Sequence, residues 1–133
     1  MSQQIVAVDP QELPAVAEAI HDHWFDLDQT VFDAASTTLS FTFARPPAGV
    51  ADRHILTSRR REAGYVESFL RIRRVVRWRI EDTNRVRYYD FNEIEYNPDK
   101  RVVRLTTGIP ILIEVEVQGL EIVVEITDKV VAD

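Results

Sequence analysis

Residues 25–41 (FDLDQTVFDAASTTLSF) and 89–105 (YDFNEIEYNPDKRVVRL) align without a gap at a constant offset of 64 residues. Both read aromatic, Asp, apolar, Asp or Asn, Gln or Glu, two variable positions, aromatic, Asp or Asn, a short polar run, and then an alternating strand. Only Asp26 and Asp90 are identical, so the match lies in chemical type rather than in letters. Either an internal hairpin duplication or the shared chemistry of two β-hairpins accounts for it, and each organises the chain around two hairpins.

A chain of 133 residues is the size of one ordinary domain, so residues 1–133 are expected to form a single domain. Hydrophobic residues make up 45% and charged residues 29%, a composition that excludes wholesale disorder. No apolar run approaches the roughly 20 residues needed to cross a bilayer, and the N-terminus lacks the pattern of a signal peptide. Cysteine is absent, which removes disulfides, thiolate nucleophiles and Cys-type zinc sites together. A soluble cytoplasmic protein with no membrane partner is the expectation.

The net charge of −6 is unevenly spread. Residues 1–44 carry seven acids and no base, residues 45–104 fifteen bases and nine acids, and residues 105–133 six acids and one base. Fourteen of the sixteen basic residues are Arg, the side chain suited to fixed pairing with carboxylates or phosphates. The basic middle therefore either pairs with the acidic segments or faces an anionic partner.

Residues 4–8 read as a short strand. Leu13, Val16, Ala17, Ile20 and Trp24 follow the spacing of one buried helix face, and Pro14 moves the helix start past a tight turn at 9–12, giving a helix over about 13–22. The first hairpin pairs about 26–32 with 38–43. Residues 44–64, with Pro46, Pro47 and the Arg59, Arg60, Arg61 run, read as a long, mobile, Arg-rich loop. Residues 65–81 alternate as a long strand, with a bulge or bend expected near Arg74. The second hairpin pairs about 88–96 with 101–107 through Asn97-Pro98-Asp99-Lys100. Strands follow at 111–117 and 120–127. The fold class is α+β, predominantly antiparallel: a sandwich or partly open barrel of about seven strands with one N-terminal amphipathic helix.

Three constellations carry candidate chemistry. His21 and His23, with Asp26, form a metal-ligand set if their donor atoms converge on one point; on a helix, residues two apart diverge. Their alternative role is to sit in the last helical turn, where imidazolium suits the dipole. Asp26, Asp28 and Asp33, with Asp90, Asn92 and Asn97, would serve glycoside hydrolysis or calcium binding only with raised pKa values in a cleft or six to eight converging oxygens, and Asp33 and Asn97 occupy hairpin-turn positions that backbone hydrogen bonding explains without function. Arg71, Arg73, Arg77 and Arg79 form a stripe that mirrors Glu114, Glu116, Glu121 and Glu125, the pattern cross-strand ion pairs produce. With an acidic chain, that match makes nucleic-acid binding the weaker reading.

Arg59, Arg60 and Arg61 are the local candidates for an anion or partner contact. No G-x-S-x-G elbow, Ser-His-Asp order or phosphate-cradling glycine loop is present, so no catalytic residue and no cofactor is expected. The sequence reads best as a non-enzymatic binding or accessory protein acting on a protein partner, through a charged sheet face or the 44–64 loop. The alternative is a small-molecule or metal-binding β domain using His21, His23 and Asp26. Weakly guarded strands add the expectation of a homodimer.

Overall fold

The computed structural model of the chain describes residues 3–46 and 64–131. Ten strands run in chain order: β1 (Gln3–Ala7), β2 (Trp24–Asp26), β3 (Val31–Asp33), β4 (Thr38–Arg45), β5 (Val66–Ile72), β6 (Val75–Glu81), β7 (Tyr88–Asn97), β8 (Val102–Thr107), β9 (Leu112–Val117) and β10 (Ile122–Val130). One helix, α1 (Leu13–Ile20), follows a 3-10 turn at Pro10–Glu12. Asp9 caps that turn by accepting the Gln11 N–H at 2.9 Å, and Pro14 sits in the first turn of α1, where its missing N–H costs little.

The fold is mostly antiparallel sheet with one short N-terminal helix, as the alternation predicts. Two details differ. Among the described residues the strand count is ten rather than about seven, because the 65–81 run divides at Arg73-Arg74 and the first hairpin arm divides into β2 and β3 around a 3-10 turn. The sheet is open and not closed into a barrel: its order is β1-β10-β5-β4-β2-β7-β8-β9-β6, with β3 beside β4. The helix also ends two residues early. Trp24 belongs to β2 and is 37% exposed, while Ala19 joins the buried face that Leu13, Val16 and Ile20 present.

The 64-residue offset recurs in the hydrogen bonding. In the first hairpin Val31 pairs Ser40, Phe32 pairs Leu39 and Asp33 pairs Thr38; in the second Glu95 pairs Arg104, Tyr96 pairs Val103 and Asn97 pairs Val102. Each second pair is the first shifted by the offset. Asp33 accepts the Ala35 N–H and Asn97 the Asp99 N–H, both at 3.0 Å, and Thr37 and Arg101 both take positive φ, at 50° and 55°. Between hairpins, Phe25 lies opposite Tyr89, its own counterpart, with Trp24 opposite Asp90 and Asp26 opposite Tyr88. A local two-fold axis therefore passes between Phe25 and Tyr89. Leu27 N–H donating to Arg87 O (2.9 Å) and Phe91 N–H donating to His23 O (3.0 Å) are its symmetric flanking bonds.

The symmetry extends outward. Leu39 and Phe41 of β4 face Ile72 and Leu70 of β5, as Val103 and Leu105 of β8 face Val115 and Ile113 of β9. Those β5 residues then face Ile122 and Val124 of β10, and those β9 residues face Trp78 and Ile80 of β6. Strand β6 is thus the counterpart of β10, yet β6 pairs with β9 and β10 with β5. Each half lends its last strand to the other. Arg74, at φ 58°, makes the bend that carries the chain from β5 into β6, and its carbonyl accepts the Gln118 N–H at 2.9 Å.

The core is one hydrophobic cluster among the described residues, centred on Phe25. The Phe25 ring stacks on Phe91 at 4.1 Å and meets Phe41 edge-on at 5.8 Å. Helix α1 covers one side of the sheet, against β7, β1 and β10.

Candidate functional site

The end of α1 sets the histidine geometry. His21 leaves the helix with ψ 131°, and Asp22 turns left-handed at φ 64°, so neither histidine lies in the last helical turn. His21 is exposed; its Nδ1 lies 2.8 Å from Asn92 O, and because a carbonyl only accepts, Nδ1 carries the proton and donates. His21 Nε2 lies 3.4 Å from Asp22 Oδ2. His23 turns the other way, is 6% exposed and stacks its ring on Phe43 at 6.0 Å. Both line a cleft of about 470 Å³ between α1 and β7, with Ala17, Glu18, Asp22, Asn92 and Glu93.

Asp26 is buried and engaged elsewhere. Arg87 Nε and Nη2 donate to its two carboxylate oxygens at 2.9 and 2.8 Å, and Oδ1 also accepts the Asp28 N–H at 3.0 Å. The Arg87 hydrogen bonds hold the Asp26 carboxyl below the usual carboxylate range, against the opposing effect of burial, and Asp26 in turn raises the guanidinium further above its ordinary value. The three candidate ligands thus have different neighbours: His21 meets Asn92, His23 meets Phe43 and Asp26 meets Arg87. Among the described residues, no group of three or more His, Cys, Asp or Glu side chains is placed to hold a metal ion.

The arginine stripe is matched internally. Arg71 reaches Glu125 at 2.9 Å, Arg73 reaches Glu121 at 3.4 Å and Arg77 reaches Glu116 at 3.2 Å. Arg79 pairs with Glu81 on its own strand and lies opposite Glu114 in the ladder. Alternation placed these groups on one face, and antiparallel register brought opposite charges together. The acids and amides also keep to the backbone: Asp33, Asn97 and Asp90 each accept from nearby N–H groups. Arg59, Arg60 and Arg61, and most of the 44–64 loop, lie outside the described residues.

The position of β6 at the end of the sheet is the feature that sequence reasoning left open. Among the described strands it ends the sheet opposite β1, with β9 on one side and no strand on the other. Its counterpart β10 has β1 on the matching side, from Gln3 opposite Ile126 to Ala7 opposite Ile122. The consequence appears in burial. Ile122 and Val124 are fully buried, whereas Trp78 and Val76 are 44% and 49% exposed, with Ile80 half-buried. Trp78 has Phe32 as a ring neighbour at 6.2 Å. The alternation of 75–81 was legible, but which strand ends a sheet depends on strand order, which alternation does not encode.

No family model, curated protein or solved structure matches this chain.

Proposed function

We propose that this is a non-enzymatic binding protein that engages a protein partner by strand addition along β6, the free edge of the charged sheet face. The observation that supports it is a seven-residue edge whose core-side residues, Trp78 and Ile80, occupy positions that are fully buried on the symmetric strand β10. An added strand satisfies the edge N–H and C=O groups through main-chain hydrogen bonds and covers Trp78 and Ile80 with alternate side chains. Arg77 and Arg79 project from the other face of the same strand and favour acidic residues at the intervening positions.

Internal pairing of the arginine stripe supports a protein partner over nucleic acid, because the cations that would grip phosphates already have carboxylate neighbours. The reading includes an internal repeat, supported by the shared hairpin registers, and a cytoplasmic location, supported by the absence of cysteine. No helix among the described residues is long and apolar enough to cross a membrane.

The test is titration with seven-residue peptides that alternate apolar residues with Glu, against scrambled controls, followed by amide exchange. Protection confined to 75–81, dependent on alternation and lost in Trp78→Lys, is the expected result. Under conditions where light scattering reads a monomer, unchanged exchange along β6 at millimolar peptide overturns the reading.

A further inference from the structure

We infer that the strand β6 accepts is β6 of a second copy of this chain, joined antiparallel across a two-fold axis at Arg79. This rests on the reading of β6 as a binding edge and adds the occupant and its register.

The argument is charge complementarity along the strand. In an antiparallel pair related by a two-fold axis normal to the sheet, facing residues share a face, so the axis passes through one residue and its own copy. The sequence Val75-Val76-Arg77-Trp78-Arg79-Ile80-Glu81 offers two central registers. Centring on Trp78 sets Arg77 opposite the second copy's Arg79, twice, and like charges directly opposite are destabilising. Centring on Arg79 sets Arg77 opposite the second copy's Glu81, twice, and Trp78 opposite its Ile80, twice. One like pair remains, Arg79 with its copy, and each Arg79 already has Glu81 on its own strand and Glu114 across the ladder. The second register thus matches charge on the outer face and covers on the core face the Trp78 that the single chain leaves 44% exposed.

The strand also carries the means of limiting growth. Its pairing with β9 shifts register between Val75 and Arg77, so the regular edge is short. The opposite end of the sheet is the five-residue β1, whose outer residues Gln3 and Gln4 are exposed and polar. A closed pair of copies, rather than a growing sheet, follows from the two-fold, which uses β6 of both chains in one contact and leaves only the shorter β1 edges outside it.

The experiment is light scattering over a concentration series on the full chain, with two charge variants. Wild type is expected at twice the chain mass. Arg77→Glu and Glu81→Arg each bring like charges together in the homodimer and are expected to run as monomers, while an equimolar mixture of the two recovers a dimer, because each variant then meets its complement. Since the chain has no cysteine, Arg79→Cys under mild oxidation supplies a second readout that keeps both faces of the strand: it is expected to form a disulfide-linked pair, and Trp78→Cys is not.

A wild-type chain that stays monomeric at high concentration overturns the inference. So does a dimer indifferent to both charge variants, or one that cross-links through residue 78 rather than 79. A monomer whose β6 amides are nevertheless protected by alternating peptides would sink the second-copy inference alone and leave the binding edge standing.

Discussion

Asp26 and Tyr89 are two buried side chains whose polar ends have hydrogen-bond partners, and each has a readable consequence. Asp26 has a folded pKa below its unfolded value of about 3.9 because Arg87 donates to both its oxygens. Its stabilisation is therefore complete above that value and is lost as pH falls through the folded pKa. Asp26→Asn should lower the melting temperature at pH 7 and flatten its decline below about pH 4, as read by thermal melts across the acid range. The Tyr89 hydroxyl donates to Asp82 and accepts the Val86 N–H at 3.1 Å, and burial, followed by the Asp82 bond, pushes its pKa up. Tyr89→Phe leaves both groups without that partner and should cost about 1–2 kcal/mol in urea unfolding. Two glycines separate by what their Cβ would meet. At Gly108 it would strike the Asp90 carboxylate, a short side chain tied to the Gly108 N–H, so Gly108→Ala should cost about 1–3 kcal/mol. At Gly119 it would meet the Arg74 guanidinium at 2.5 Å, the far end of a flexible side chain, and Gly119→Ala should be near neutral in the same assay.

Among the elements, the terminal strand β1 does most to define the surface. It covers the β10 edge along five residues and brings Ile5 and Ala7 against the core under α1. Deleting residues 1–8 should therefore lower the melting temperature and expose the β10 edge at Val123 and Glu125, measured by light scattering as assembly beyond the two-chain mass expected of the full chain. The ionic ladders contribute differently. Arg71 and Glu125 are partly exposed and screened by water, so Glu125→Gln should change stability by no more than about 0.2–1 kcal/mol, with the remaining difference reduced in high salt. The bend at Arg74 is legible in the sequence because the alternation fails there, and a positive φ is the physical form that failure takes.

At the scale of the whole molecule, the exchange of last strands ties the halves together. Neither half can lose its fourth strand without exposing the third strand of the other, so the two cannot unfold in turn. Fluorescence of Trp24 and Trp78 and far-UV circular dichroism should report one coincident transition in denaturant. Phe25→Ala, at the two-fold between halves, should shift that transition by about 3–5 kcal/mol while leaving it single. Split transitions would show that the halves are independent after all. Because the exchanged strands pair across long sequence separations, folding should take milliseconds to seconds.

What the sequence by itself determined was local. Period-two alternation set which residues of 66–72, 112–117 and 122–126 face inward, because a strand side chain has only two faces to choose from. Asx chemistry at Asp33 and Asn97 set both hairpin turns, and the matching Arg and Glu stripes set the ion-paired face. Tertiary structure decided the rest. Whether His21 and His23 share a point depended on the left-handed turn at Asp22, which sends one ring to Asn92 and the other against Phe43. Which strand ended the sheet depended on the exchange of β6 and β10, a choice among pairings that alternation leaves equivalent. Only the assembled sheet, which sets β1 outside β10 and no described strand outside β6, turns Trp78 from an ordinary apolar residue in an alternating strand into a half-exposed edge residue.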